Sequence, residues 1–355
     1  MKKGLLFSLL FFIGMNVIDA SVSSASSYIL MDMDSGNIIQ SKNKDTPMLI
    51  ASITKIMTCI LAIENGNLDS LVLVDDVVKE SYGSGIYISV GEEITLRDLL
   101  YGLMLRSGND AALMIAKYIS GSVDEFVMLM NNKAKELGMK KSVFNNPSGL
   151  DNDIGNLSTV YDMAILTSYA MKNKDYQEIV KTKKYTVKTN LKTYIWHNKN
   201  KLLSYDYITG GKTGYTEKAK RTLVSTGSKD GMNFVVVTIR DSDDWNTHTS
   251  LYEYAFNNYK RVKVLDKKRF KVVGDDYYDE LYIKEDKYIT IRKDEDRELI
   301  NHIKLEKKNV YLSGMKVGVS NIYLGDELIE QTDIYVKKKR ENETIFDTIR
   351  KWFNK

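Results

Sequence analysis

The sequence predicts an α+β fold followed by a small all-β unit, and three observations carry that prediction. Apolar segments with strand character stand near both ends of the first two-thirds of the chain, at 28–39 and at 222–239. Helix-spaced apolar runs fill the interval between them. From about Val262 the texture changes to short alternating segments broken by acidic and glycine turns, which is the signature of a small β domain. Strands at both ends with helices between imply one sheet whose first and last strands are neighbours.

The elements follow in order. Residues 2–18 read Lys-Lys, then an apolar run from Leu5 to Ile18, then small residues through Ala20 and Ala25, the layout of a secretory signal over 1–25. Cleavage after Ala20 and after Ala25 both fit, and an uncleaved anchor is the alternative; the run is shorter than the ~20 residues a spanning helix needs. On either reading the rest of the chain is exported. Tyr28 to Ile39 holds two apolar segments around Asp34-Ser35-Gly36-Asn37, a hairpin pattern. A helix is predicted from about Ser52, where Ile56, Met57, Ile60 and Leu61 make one buried face, and further helices over 96–104, 111–119 and 125–137. Strands return at Thr222 to Thr226 and Phe234 to Ile239. The first domain is placed at 26–260. The β domain, 261–338, is built from segments such as 281–283, 287–291, 309–312 and 321–324. Beyond it, Lys337-Lys338-Lys339-Arg340 leads into 343–355, where Ile345, Phe346, Ile349, Trp352 and Phe353 share one helical side. A basic amphipathic helix over 339–355 reads as a membrane-interface anchor, with docking on its own protein as the alternative.

Composition excludes some classes. The chain has 355 residues, 43% of them hydrophobic, and a formal charge of +4, too small to mark a polyanion or nucleic-acid binder. A single cysteine, Cys59, rules out an internal disulfide and sits in an apolar run, as buried filler does. The three histidines form no metal-ligand spacing, and no cofactor is implied.

Three short motifs carry chemistry. Ser52 and Lys55 stand three residues apart at a helix start, so a hydroxyl and an amine share one face, and a lysine whose pKa is lowered can serve as the base a serine nucleophile needs. Ser107-Gly108-Asn109 forms a polar turn between apolar helices: a hydroxyl able to relay protons, and a carboxamide able to hold a substrate amide. Gly210-Gly211-Lys212-Thr213-Gly214, followed by Tyr215, introduces a strand whose glycines permit close backbone approach, with a cation and hydroxyl suited to a carboxylate. None is specific alone. Ser-x-x-Lys recurs at Ser41 and Ser313, and Ser-Gly-Asn at Ser35, so a helix cap, a turn and a surface lysine suffice for each in isolation.

Their order changes the weight. The triplet of motifs resembles the signature of penicillin-binding proteins and class A β-lactamases, and the chain is similar, from about Tyr28 to Val336, to the low-molecular-mass penicillin-binding proteins that act as D-alanyl-D-alanine carboxypeptidases. Residues 96–112 resemble that family's second-motif region almost throughout, and Asn146-Pro-Ser-Gly-Leu150, 157–163 and 198–203 look like its connecting landmarks. Ser148 and Tyr215 stand where relatives often have histidine. The resemblance implies a sheet plus helical cluster, Ser52 as nucleophile, Lys55 as base, Ser107 as proton relay, Asn109 on the acyl-side amide, and Lys212 with Thr213 on the carboxylate. Amides of Ser52 and Tyr215 would form the oxyanion hole, and Gly214 lies beside them. It implies the peptidoglycan pentapeptide as substrate, β-lactams as covalent inhibitors, and the outer face of the cytoplasmic membrane as the place of action. A β-lactamase is the nearest rival, but no Glu-x-x-x-Asn spacing occurs between Asp110 and Gly211; a non-catalytic wall-binding sensor is the other.

Overall fold

The computed structural model describes residues 23–151, 154–309 and 311–337. Residues 1–22 of the signal expected over 1–25, and the C-terminal amphipathic helix expected over 339–355, lie outside them.

The chain opens with an antiparallel hairpin, β1 (Ser27–Asp32) and β2 (Ile38–Lys42), and a short strand β3 (Met48–Leu49). A tight 3-10 turn over Ala51–Thr54 leads into α1 (Lys55–Asn65). Strands β4 (Leu71–Leu73) and β5 (Glu93–Thr95) pair with each other; α2 (Leu96–Tyr101), α3 (Asn109–Ser120) and α4 (Val123–Glu136) follow, and β6 (Leu157–Ser158) pairs with β3. Next come α5 (Val160–Ala170), α6 (Lys174–Lys181) and the hairpin β7 (Lys184–Lys188) with β8 (Thr193–His197). The sheet is completed by β9 (Ile208–Thr216), β10 (Lys220–Lys229) and β11 (Met232–Ile239), after which α7 (Asp244–Asn258) crosses it.

Five strands form the main sheet in the order β2-β1-β11-β10-β9. The first and last strands are therefore neighbours, with Ser27 opposite Ile239 and Asp32 opposite Phe234. Both faces are covered, which is why every residue of β1 is buried. Strand alternation divides them: Ile29, Met31, Val235 and Val237 join the core of α1, α3 and α5, while Tyr28, Leu30, Phe234 and Val236 pack against Leu251, Tyr252 and Phe256 of α7. Burial of each such side chain stabilises by about 1.5–3 kcal/mol. Cys59 is fully buried on α1.

Two helix expectations change. Ser52 lies before α1 rather than in it, because Ala51 takes a left-handed φ of +48° and the turn only becomes α-helical at Lys55. The helix starting at Leu96 ends at Tyr101 and opens into a π-helical turn over Gly102–Arg106, which stops at Ser107 with φ +65°. Such wide turns cluster at functional sites.

From α7 the chain passes directly into β12 (Tyr259–Leu265). The all-β part comprises β13 (Leu281–Tyr282), β14 (Lys287–Arg292), β15 (Leu299–Leu305), β16 (Lys316–Leu324) and β17 (Glu327–Val336), with β12 pairing β14 and a sheet ordered β13-β17-β16-β15 around Val317, Ile322, Ile334 and Val336. The strand expected at 309–312 is absent: Tyr311 and Leu312 lie in a loop, where Tyr311 packs edge-on against Tyr278.

Buried polar contacts tie α7 to the sheet, among them those of His248 and of Tyr252, whose hydroxyl lies 3.0 Å from Ser225 Oγ. The His248 ring is fully buried, its Nδ1 2.6 Å from Ser225 Oγ on β10 and its Nε2 3.1 Å from Thr238 Oγ1 on β11. Burial pulls its pKa down to about 3. The unfolded chain therefore binds a proton near pH 6.5 that the native chain refuses, so this contribution to stability is complete above pH 6.5 and lost as pH falls toward 3, at about 1.4 kcal/mol per pH unit. Urea unfolding of wild type and His248→Gln between pH 7 and 4 checks this: the wild-type curve falls more steeply below about pH 6.5, and parallel curves would contradict it.

Candidate active site

The site is assembled where the Ala51–Thr54 turn, the start of α3 and β9 converge. The turn is held close by two glycines. A Cβ on Gly149 (φ +87°) would stand 1.9 Å from Ala51 O, and one on Gly214 would stand 2.9 Å from Ser52 N. Only at glycine can the β9 backbone and the 146–150 segment press against the serine turn.

Ser52 and Lys55 face each other across that turn, Lys55 Nζ lying 3.2 Å from Ser52 Oγ. The amine is fully buried and donates to Asn109 Oδ1 at 2.7 Å and to the Ser148 carbonyl at 2.5 Å. Among the described residues no carboxylate forms an ion pair with it. Burial, reinforced by Lys199 and partly opposed by Asp110, lowers its pKa to about 7. A substantial neutral fraction at neutral pH gives the amine a lone pair that can take a proton from the serine hydroxyl.

Ser107 lies where the π-helical turn meets α3, and its Oγ accepts from Lys212 Nζ at 3.1 Å. Lys212 is also buried, donates to Thr213 O at 2.6 Å, and is held well below the usual lysine range by burial and by the cations Lys55 and Lys199. Asn109 is the first residue of α3. Its Nδ2 donates to Tyr82 O at 2.7 Å while Oδ1 receives Lys55, so one N–H and one lone pair of the carboxamide stay uncommitted. Thr213, Gly214 and Tyr215 run along β9, with the Tyr215 ring exposed.

A cavity of about 370 Å³ opens over Ser52, Ser107, Thr213 and Gly214. The structure thus gathers Ser52, Lys55, Ser107, Asn109, Lys212, Thr213, Gly214 and Tyr215 into one place. The repeats of the motifs lie elsewhere: Ser41 on the edge strand β2, Ser35 in the hairpin turn, Ser313 in an exposed turn.

Sequence reasoning missed several residues around the cavity. Ser84 and Lys199 line it, and so do Arg221 and Trp245. Arg221 stands opposite Tyr215 in the β9–β10 register, its guanidinium gripped by Asp244 at 2.5 and 3.1 Å and lying over the Trp245 ring. Lys199 falls inside the 198–203 landmark, which was a usable signal. Arg221 had none, since only strand register brings it to the cleft. A second cavity of about 430 Å³ adjoins Asn109 and is bordered by Tyr82, Ser148 and Leu150. No group of His, Cys, Asp or Glu able to hold a metal occurs among the described residues.

Comparison with known proteins shows the family. Residues 15–243 match the family described as D-alanyl-D-alanine carboxypeptidase, and 259–342 match the C-terminal domain of penicillin-binding protein 5. The D-alanyl-D-alanine carboxypeptidase DacF of Bacillus subtilis is 32% identical over 336 residues, covering 88% of this chain and 85% of that one. A D-alanyl-D-alanine carboxypeptidase of a Streptomyces species is 37% identical over 252 residues, covering 64% of this chain and 85% of that one. The crystal structure of penicillin-binding protein 5 from Haemophilus influenzae superposes with a TM-score of 0.73 at 26% identity, covering 89% of this chain and 97% of that one.

The glycine contacts generate a direct expectation. Gly149→Ala places a methyl against Ala51 O at a left-handed φ and should cost roughly 2–4 kcal/mol. Chemical denaturation measures the loss; a change within about 0.5 kcal/mol, the range of ordinary surface substitutions, would show that the turn is not pressed as described.

Proposed function

The chain belongs to the D-alanyl-D-alanine carboxypeptidase family, and we propose that it removes the terminal D-alanine of peptidoglycan stem peptides through an acyl-enzyme on Ser52. The observation that carries this reading is Lys55: fully buried, without a carboxylate partner among the described residues, and 3.2 Å from the Ser52 hydroxyl.

Lys55 takes the Ser52 proton as Oγ attacks the carbonyl between the last two residues. Negative charge develops on the carbonyl oxygen, and the backbone N–H groups of Ser52 and Tyr215 stabilise it; the close passage of β9 at Gly214 supports that placement. The departing amine needs a proton, which Ser107 passes on under the influence of Lys212. Asn109 uses its uncommitted N–H and lone pair on the acyl-side amide. Because Lys212 is buried and bonded to Ser107 and Thr213 O, the substrate carboxylate takes its hydrogen bond from the Thr213 hydroxyl and finds a more accessible cation in Arg221 at the cavity wall. Water then attacks the ester and frees Ser52. Acylation by a β-lactam uses the same first step. The signal-like 1–25 and the basic amphipathic 339–355 support action outside the cytoplasmic membrane and against its outer face; among the described residues no helix is long and apolar enough to cross a membrane.

Mass spectrometry of a diacetyl-lysyl-D-alanyl-D-alanine peptide incubated with the protein should show loss of one alanine. Ser52→Ala should abolish it, as should Lys55→Arg, whose guanidinium keeps its proton. Release of alanine by Ser52→Ala would overturn the mechanism. Arg221→Ala should raise KM for the peptide roughly 10-fold or more, the scale of one charge-assisted hydrogen bond, and an unchanged KM would remove Arg221 from the carboxylate site.

A further inference from the structure

Asp110 follows Asn109 in sequence, is buried, and has no part in the reaction as set out above. Among the described residues its carboxylate forms no ion pair with a cation. It accepts backbone N–H groups instead: Ile86 N at 3.0 and 3.1 Å from its two oxygens, Tyr87 N at 2.6 Å, and Ala111 N at 2.8 Å. The fit is specific, since a Cβ on Gly85 would stand 3.2 Å from one oxygen and a Cβ on Gly108 2.9 Å from the other. Tyr87 is held at φ +60° although the residue is 74% exposed, so burial of the side chain does not account for this left-handed backbone.

The stapled segment touches the site on two sides. Ser84 lines the cavity over Ser52, and Tyr82 borders the adjoining cavity beside Asn109 and Ser148. Two further bonds run from Asn109 into the same segment, its N–H to Ser84 O at 2.8 Å and its Nδ2 to Tyr82 O at 2.7 Å. The Asn109 carboxamide in turn receives Lys55. We infer that Asp110 is a positioning residue for the reaction: by stapling the Gly85–Tyr87 backbone to the start of α3, it fixes the wall shared by the two cavities and, through Tyr82, the orientation in which Asn109 meets Lys55 and the substrate.

The staple also carries charge. The charged groups acting on Lys55 are the cation Lys199, which disfavours the protonated amine, and Asp110, which favours it; Lys212, buried nearby, is itself held well below the usual lysine range, in part by Lys55. Substituting Asp110→Asn preserves shape, removes the charge and turns one acceptor into a donor facing backbone N–H groups.

This inference rests on the proposed function, and its test separates the two. Hydrogen exchange in the wild-type chain should show Ile86 and Tyr87 amides protected like the first turn of α3; exchange at open-loop rates would overturn the staple without any variant. In Asp110→Asn those two amides should exchange at least about 10-fold faster, while kcat/KM for the diacetyl-lysyl-D-alanyl-D-alanine peptide falls about 100-fold. The acid limb of the penicillin-acylation pH profile should move down by roughly one unit, which a purely structural residue would not cause. Unchanged exchange, or kcat/KM within about twofold of wild type with an unmoved limb, would refute the assignment. Failure of the wild-type chain to release alanine strikes the proposed function alone, because the exchange rates judge the staple independently.

Discussion

The active site depends on Lys55, a lysine fully buried with no carboxylate in ion-pair contact among the described residues. Moving an ammonium group out of water is costly unless a carboxylate follows it, and at Lys55 the partners are a hydroxyl, a carboxamide oxygen and a backbone carbonyl. The amine responds by giving up its proton near neutrality. It acts in turn on a second buried lysine, Lys212, which burial, Lys55 and Lys199 hold well below the usual lysine range. Two buried amines, each with its protonated form disfavoured and a serine hydroxyl beside it, form an arrangement that can draw a proton from one serine and deliver one through the other.

The fold exists largely to hold that arrangement shut. A sheet covered on both faces fixes β9 to within hydrogen-bonding tolerance, because β10 and β11 are pinned between the α1–α6 cluster and α7. Gly214 then brings the strand against the serine turn and Gly149 closes it from the other side. The π-helical turn before Ser107 and the left-handed residues Ala51, Tyr87 and Ser107 put local strain into the segments that build the site. Strain of that kind persists where surrounding contacts over-determine it, and the Asp110 staple is such a contact for Tyr87.

Much of this was legible in the sequence, for physical reasons. The pairing of β1 with β11 follows from apolar alternation at the two ends of a domain with helices between. The three motifs were readable because each is local, and their order was informative because chance repeats such as Ser41 and Ser313 break it. Other features required the third dimension. The hairpin of β7 and β8 turns through Thr189-Asn-Leu-Lys192, without the glycine or proline that marks a tight turn. The middle of strand β17, Glu330-Gln331-Thr332-Asp333, is polar and carries no apolar alternation of its own, yet it pairs in register with β16. Arg221 reaches the cleft through strand register, and the isolation of Lys55 from carboxylates is a property of packing that no spacing encodes.

Burial, more than any neighbouring charge, makes Lys55 a base at neutral pH, and titration of that amine tests this most directly. With lysine labelled with carbon-13 at Cε and Lys55 assigned by its loss in Lys55→Met, the NMR shift in the free protein should titrate with a midpoint near pH 7. A Lys55 resonance that remains that of an ammonium group up to about pH 10, the range of an ordinary lysine, would contradict the account.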